Sequence, residues 1–182
     1  MSFRKLDERE IYRGPLISVA AGRFESPSGE RFERDLVHHP GAVSVVPLLA
    51  GEREVVLVRQ YRAAIDRLLL EIPAGKRDVA DEPVEITARR ELEEEIGMRA
   101  GRVEPLAEFF NSPGFCDEHS FIFLARDLEP VTASAQGIEE EHMTIEHVAL
   151  DAVPDLIATG DLVDAKSIIG LLVTRERLAA GR

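Results

Sequence analysis

A chain that carries EIPAGKRDVADEPVEITARRELEEEIGM between Glu71 and Met98 has to set a short, heavily acidic helix against a core. The stretch reads as a strand end, a turn at Pro73-Ala74-Gly75, and a helix that starts near Pro83 and stops at Gly97. Proline pre-sets the backbone for a first helical turn, and glycine adopts the left-handed conformation that ends one. At about 3.6 residues per turn, Val84, Ala88, Leu92 and Ile96 form one apolar stripe. The same spacing stacks Glu91 and Glu95 along the edge of that stripe, with Glu94 one position round.

Three carboxylates on a partly buried edge repel one another, by about 0.2–0.5 kcal/mol per pair when solvated and by more once water is excluded. A cation would relieve this. Oxygen-only donors on a rigid element suit a hard divalent ion, Mg²⁺ above all, and the lack of His or Cys in the cluster disfavours zinc. On charge pattern alone, an acidic solvated helix face is the commoner outcome.

The order of residues carries more. Gly75, six residues, Glu82, seven residues, then Arg90-Glu91-Leu92-Glu93-Glu94-Glu95-Ile96-Gly97-Met98 resembles the Nudix box of the Nudix hydrolases. The gap before Glu82 is one residue longer than the family's usual spacing. That residue falls in the loop Lys76 to Asp81, so it bears on Glu82 and leaves the helix register untouched. The resemblance implies a loop-helix-loop that holds Mg²⁺ or Mn²⁺ through Glu91, Glu94, Glu95 and the Ala74 carbonyl, with Arg90 bracing the glutamates.

Other segments narrow the branch. VRQYR at 58–62 and EIPAG at 71–75 are similar to the corresponding segments of the ADP-ribose pyrophosphatase branch. An acidic chain that takes a diphosphate needs fixed cations, and guanidinium forks match phosphate oxygens. Arg62, and after it Arg59, is therefore a candidate substrate contact, with Glu71 a further substrate-side candidate. Pro113 stands sixteen positions past Gly97 in Ser-Pro-Gly-x-x-x-Glu, which resembles the marker of that branch and implies substrate roles for Pro113, Gly114 and Glu118. By itself Ser-Pro-Gly is also a good turn sequence. The long polar stretch Asp127 to Met143 resembles the branch's loop that carries a general base; this implies Glu139 as base and Glu141 in support.

The rest of the chain frames these features. A net charge of −12 over 182 residues argues against a nucleic-acid backbone or an anionic membrane as partner. The single cysteine, Cys116, makes no internal disulfide, and no stretch resembles a signal peptide or a membrane span. The expected location is the cytoplasm. Leu16 to Phe24 and Arg31 to His39 read as two strands around the turn cluster Ser26 to Glu30, too few to bury a core alone. His38 and His39 lack a nearby third ligand. Further strands are read at Ala42 to Leu49, Glu54 to Gln60, Arg102 to Phe110 with an interruption at Pro105, Phe121 to Ala125 and Thr144 to Leu150. Helices follow at Asp151 to Thr159, with Asp151 as N-cap, and at Asp164 to Leu178. In the last helix Ile168, Leu171, Leu172 and Arg175 share the packing face, and Lys166 is read as structural rather than substrate-binding.

Strands, a central helix, strands and closing helices bury best as a mixed sheet between helices. The Nudix resemblance implies an α/β fold of that kind, an α/β/α sandwich, with an antiparallel N-terminal β extension. The expected division is 1–41, dimerising through its strands, and 42–182, the Nudix hydrolase domain. The implied activity is metal-dependent hydrolysis of ADP-ribose to AMP and ribose 5-phosphate by a cytoplasmic homodimer. Alternatives are hydrolysis of other nucleoside diphosphate sugars or oxidised nucleotides, and a non-catalytic module that senses ADP-ribose.

Overall fold

The computed structural model describes residues 2–79, 81–132 and 142–181. Contacts divide the chain into two compact units, Met1–Gly41 with Phe109–His119, and Ala42–Glu108 with Ser120–Arg182.

The first unit is built on an antiparallel sheet of β1 (Arg4–Arg13), β2 (Ser18–Glu25) and β3 (Arg31–His38), with β2 in the middle. The last two are the strands read from the sequence. β1 is additional: in RKLDEREIYR the charges mask any apolar alternation. Its register sets Glu8 opposite Gly22, with irregularities between Lys5 and Asp7 and between Glu10 and Tyr12. On this sheet Phe24 and Phe32 stack at 5.5 Å, and Phe3 meets Phe32 edge-on at 6.1 Å. The 109–119 segment is tied to β3 by backbone: the Val37 N–H donates to the Phe115 carbonyl at 2.7 Å, and the Asp117 N–H donates to the Val37 carbonyl at 3.1 Å.

The second unit holds β4 (Ala42–Pro47), β5 (Glu54–Arg62), β6 (Arg67–Glu71), β7 (Ala74–Lys76), α1 (Val84–Ile96), most of β8 (Met98–Phe110) and of β9 (His119–Pro130), β10 (Thr144–Ala149), α2 (Val153–Thr159) and α3 (Ala165–Ala179). One sheet runs β7-β4-β9-β8, with β4 parallel to β9 and antiparallel to β7; a second runs β10-β5-β6, antiparallel throughout. Strand alternation explains the layering. Val43 and Val45 of β4 and Phe123 and Ala125 of β9 share a core with Ala88, Leu92 and Ile96 of α1. The alternate residues Val46 and Ile122 face α3, where a Cβ on Gly170 would come within 3.0 Å of Val46 and 3.3 Å of Ile122. Helices thus cover both faces of β4, and that strand is accordingly buried from Val43 onward and apolar except at Ser44. This is the expected α/β/α sandwich with a mixed sheet.

Several details differ from the sequence reading. Ala74-Gly75-Lys76 is a short strand rather than part of a turn, because its backbone pairs with Ala42 to Ser44. Pro105 does not interrupt β8, which lies at the end of its sheet, the position in a sheet where proline is tolerated. β9 runs on through Pro130, beyond its apolar segment. A 3-10 turn over Leu150–Ala152 precedes α2, so Ala152 and not Asp151 occupies the N-cap. In α3 the buried side is Ser167, Gly170, Leu171 and Thr174, and Leu172 is exposed. α1 starts and stops where Pro83 and Gly97 indicate, with Gly97 left-handed at φ 60°.

Candidate active site

The acidic side of α1 packs onto β7. Glu91 and Glu95 are only 7% and 6% exposed, one helical turn apart beside Ala88 and Leu92. Glu91 lies directly over Gly75: an alanine Cβ there would stand 1.9 Å from the Glu91 carboxyl carbon and 2.0 and 2.2 Å from its oxygens. One turn on, the Ala74 N–H donates to Glu95 Oε2 at 3.0 Å. Two consecutive residues of a three-residue strand therefore seat two carboxylates, one by lacking a side chain and one by a backbone donor.

Arg90 binds the remaining acids. Its Nη1 is 2.9 Å from both Glu91 Oε1 and Glu94 Oε2, and its Nη2 is 3.4 Å from Glu82 Oε2. Burial works against the Arg90 charge, but Glu91, Glu82 and Glu94 outweigh it and raise its pKa. The longer loop still delivers Glu82 to this cluster, where it accepts from the Thr87 hydroxyl at 2.7 Å. That bond, with Arg90, holds its carboxyl below the ordinary value. Among the described residues no three His, Cys, Asp or Glu side chains stand together as a ready metal cluster. Glu91 and Glu94 turn to Arg90, while Glu95 turns to the Ala74 N–H.

A second network lies along β5, β6 and α3. Arg62 donates from Nε and Nη2 to the two oxygens of Glu71 at 2.7 and 2.6 Å, and Lys166 pairs with the same carboxylate. Lys166 also lies 2.9 Å from Asp164 Oδ1. Asp164 caps α3 by accepting from the Ser167 N–H at 2.9 Å, and the Ser167 hydroxyl in turn accepts from the Ile72 N–H at 2.8 Å. Burial opposes charge on Glu71, yet Arg62 and Lys166 hold its carboxyl below its ordinary value. Arg62 is raised by its bonds to Glu71, with Asp164 and Glu95 adding to the effect. Glu71, 1% exposed, is thus an internal counter-charge to Arg62 and Lys166. Arg59 is likewise engaged, with Nε and Nη2 on Glu146 at 2.5 and 3.2 Å.

Pro113, Gly114 and Glu118 belong to the first unit. Pro113, Phe115 and Cys116 line a cavity of about 260 Å³ together with Leu36, Val37 and Phe110. Asp117 fixes this segment: His38 Nδ1 is 2.6 Å from its Oδ2, and the His39 N–H donates to its Oδ1 at 2.9 Å. The bond to Asp117 raises the His38 pKa against a smaller effect of burial. Glu139 and Glu141 lie outside the described residues. Sequence reasoning missed Asp164 and Ser167 as supports of the Glu71 network, and only the cap position of Asp164 before a helix signals either.

A model of the NUDIX domain matches residues 38–169, and the chain belongs to the Nudix family. Members of this family generally use divalent metal ions. An ADP-ribose pyrophosphatase of Bacillus subtilis (strain 168) is 34% identical over 179 residues, covering 97% of this chain and 96% of its own. A methanol dehydrogenase activator of Bacillus methanolicus is 33% identical over 168 residues, 92% of this chain and 90% of its own. A solved structure described as an ADP compounds hydrolase superposes with a TM-score of 0.87 at 24% identity, over 100% of this chain and 96% of that one. The residues of α1 and β7 fit a hard metal ion: the donors are oxygens only, two are buried, and the glycine cradle under Glu91 is space that any side chain would fill.

No helix among the described residues is long and apolar enough to cross a membrane.

Proposed function

We propose that this chain is a divalent-metal-dependent hydrolase of ADP-ribose, releasing AMP and ribose 5-phosphate. The observation that carries the reading is the seating of Glu91 on Gly75 and of Glu95 on the Ala74 N–H. Similarity to an ADP-ribose pyrophosphatase over nearly the full length of both chains supports the substrate.

Glu91, Glu94, Glu95 and the Ala74 carbonyl would hold Mg²⁺, with Mn²⁺ as a substitute. Such an ion supplies charge withdrawal from the diphosphate and a more acidic water. Arg90 bridges Glu91 and Glu94 and keeps both oriented, while the Ala74 N–H holds Glu95. Arg62 and Arg59 each commit Nε and Nη2 to a carboxylate, so their planes are fixed, and with no partner on Nη1 among the described residues that group is assigned to a phosphate oxygen. Glu139 is assigned as the base that takes the proton of the attacking water, with Glu141 in support, and Pro113, Gly114 and Glu118 are assigned to substrate binding on the resemblance.

The test is purified protein with ADP-ribose and Mg²⁺, AMP being followed against an EDTA control. AMP formation that survives EDTA, or none with Mg²⁺, rejects the proposal. In the same assay Glu95→Gln, which retains an acceptor for the Ala74 N–H, should lower kcat by more than about a hundredfold with an unchanged melting curve, beyond the loss typical of outer-shell partners. Glu139→Gln should lower kcat more than KM, and full activity in that variant moves the base elsewhere.

Other nucleoside diphosphate derivatives share every metal donor, and a substrate panel ranks them. The cytoplasm is the proposed location. The exposed Phe3, Ile11 and Tyr12 on or beside β1 support a homodimer through the N-terminal strands. Sedimentation at micromolar concentration should then show a dimer, and monomer alone removes that part.

A further inference from the structure

Arg77 follows Gly75 by two residues, and the sheet register tells which row it extends. Gly75 is paired with Val43, and Val43 with Phe121. The Arg77 guanidinium carbon stands 5.5 Å from the centre of the Phe121 ring, so the side chain lies back over a row that also holds Gly75 under the Glu91 carboxylate. Its Nε is buried and has no hydrogen-bond partner among the described residues. Burying a donor without a partner is costly, and each instance asks for a reason.

Other arginines near the site differ. Arg59 is held by Glu146, Arg62 by Glu71 and Arg89 by Glu85. Arg90 and Arg126 also have a buried, unbonded Nε, but each places Nη1 on a carboxylate. In a chain of 34 acidic and 22 basic residues, Arg77 makes no ion pair among the described residues and is backed instead by an aromatic ring. A ring behind a guanidinium fixes its plane while leaving the edge donors for a partner in that plane, the geometry that suits an oxyanion.

We propose that Arg77 is a substrate-binding residue that takes a phosphate oxygen of the diphosphate beside the carboxylate seat. This rests on the diphosphate-hydrolase reading above. The helix carboxylates repel an anionic substrate, and a cation fixed on the same row offsets that repulsion.

The experiment titrates wild type, Arg77→Met and Arg77→Lys with ADP-ribose and with adenosine by calorimetry in EDTA, alongside steady-state kinetics with Mg²⁺. Arg77→Met should bind ADP-ribose roughly tenfold or more weakly and raise KM, consistent with loss of a charge-assisted bond, while adenosine affinity stays unchanged. Arg77→Lys should recover part of the loss. Unchanged ADP-ribose affinity in Arg77→Met overturns the proposal, as does an equal loss for both ligands, which marks a structural role. If Arg77→Met does not fold, Arg77→Lys decides: ADP-ribose affinity intermediate between tenfold loss and wild type supports the role, and full affinity overturns it. Wild type that neither binds nor cleaves ADP-ribose sinks the function reading instead. Arg77 is then judged with inorganic pyrophosphate on the same proteins, where equal affinities, or no binding by wild type, reject it.

Discussion

Gly75→Ala is expected to remove most of the Mg²⁺-dependent activity while leaving the protein folded. The new methyl group would stand 1.9 Å from the Glu91 carboxyl carbon, so one of the two must move. Gly75 belongs to a strand paired with β4, whereas the Glu91 carboxylate is the end of a flexible side chain; the carboxylate is what yields. Its displacement by about an ångström can cost on the order of a hundredfold in rate, because a donor set that misses its ion by that much loses its alignment. Alanine meanwhile suits a strand better than glycine, which offsets part of the strain. The expected result is a melting temperature within a few degrees of wild type and a kcat/KM for ADP-ribose lower by roughly two orders of magnitude. A variant with full activity would show that Glu91 need not stay over β7.

Glu71→Ala should do the reverse, acting first on stability. It leaves Arg62 and Lys166 around a buried space with no counter-charge between them, although Asp164 still faces Lys166. Breaking a buried pair in this way costs about 3–5 kcal/mol, which for a chain of this size is a fall of roughly 10 °C in Tm. The Glu71 carboxyl has its pKa lowered in the folded state from an ordinary 4.5, against the effect of burial, by Arg62 and Lys166. Its contribution is therefore complete above pH 4.5 and is lost as pH falls below that through the folded value. Glu71→Gln should flatten the acid limb of the stability curve, and the check is Tm against pH for both variants. If Glu71→Ala melts with wild type, the network is not holding β6 to α3.

The central helix was legible because its signals are local. Pro83 and Gly97 bound it, and the i, i+4 spacing that exposes its apolar stripe also puts Glu91 and Glu95 at the stripe's edge. β7 was not legible: Ala-Gly-Lys has no strand preference, and only pairing with β4 makes it one. β1 escaped for a related reason, its ladder with β2 being made by backbone while its side chains stay in water. The sequence offered Arg62 and Arg59 as cations but not the carboxylates that hold them. Arg62 meets Glu71 through the β5–β6 hairpin, and Lys166 reaches the same carboxylate from 95 residues away, a distance no spacing rule spans. Gly75 was noticed as part of a pattern, and its physical reason, the volume of a carboxylate above it, needed the helix and strand together.

The two ends of the segment between β7 and α1 are anchored independently, the first by pairing with β4 and the second by the packing of Ala88 and Leu92. What joins them need only span the gap. Neither anchor dictates the residue count of that connector, and with six residues between Gly75 and Glu82 the Glu82 carboxylate still reaches Thr87 and Arg90.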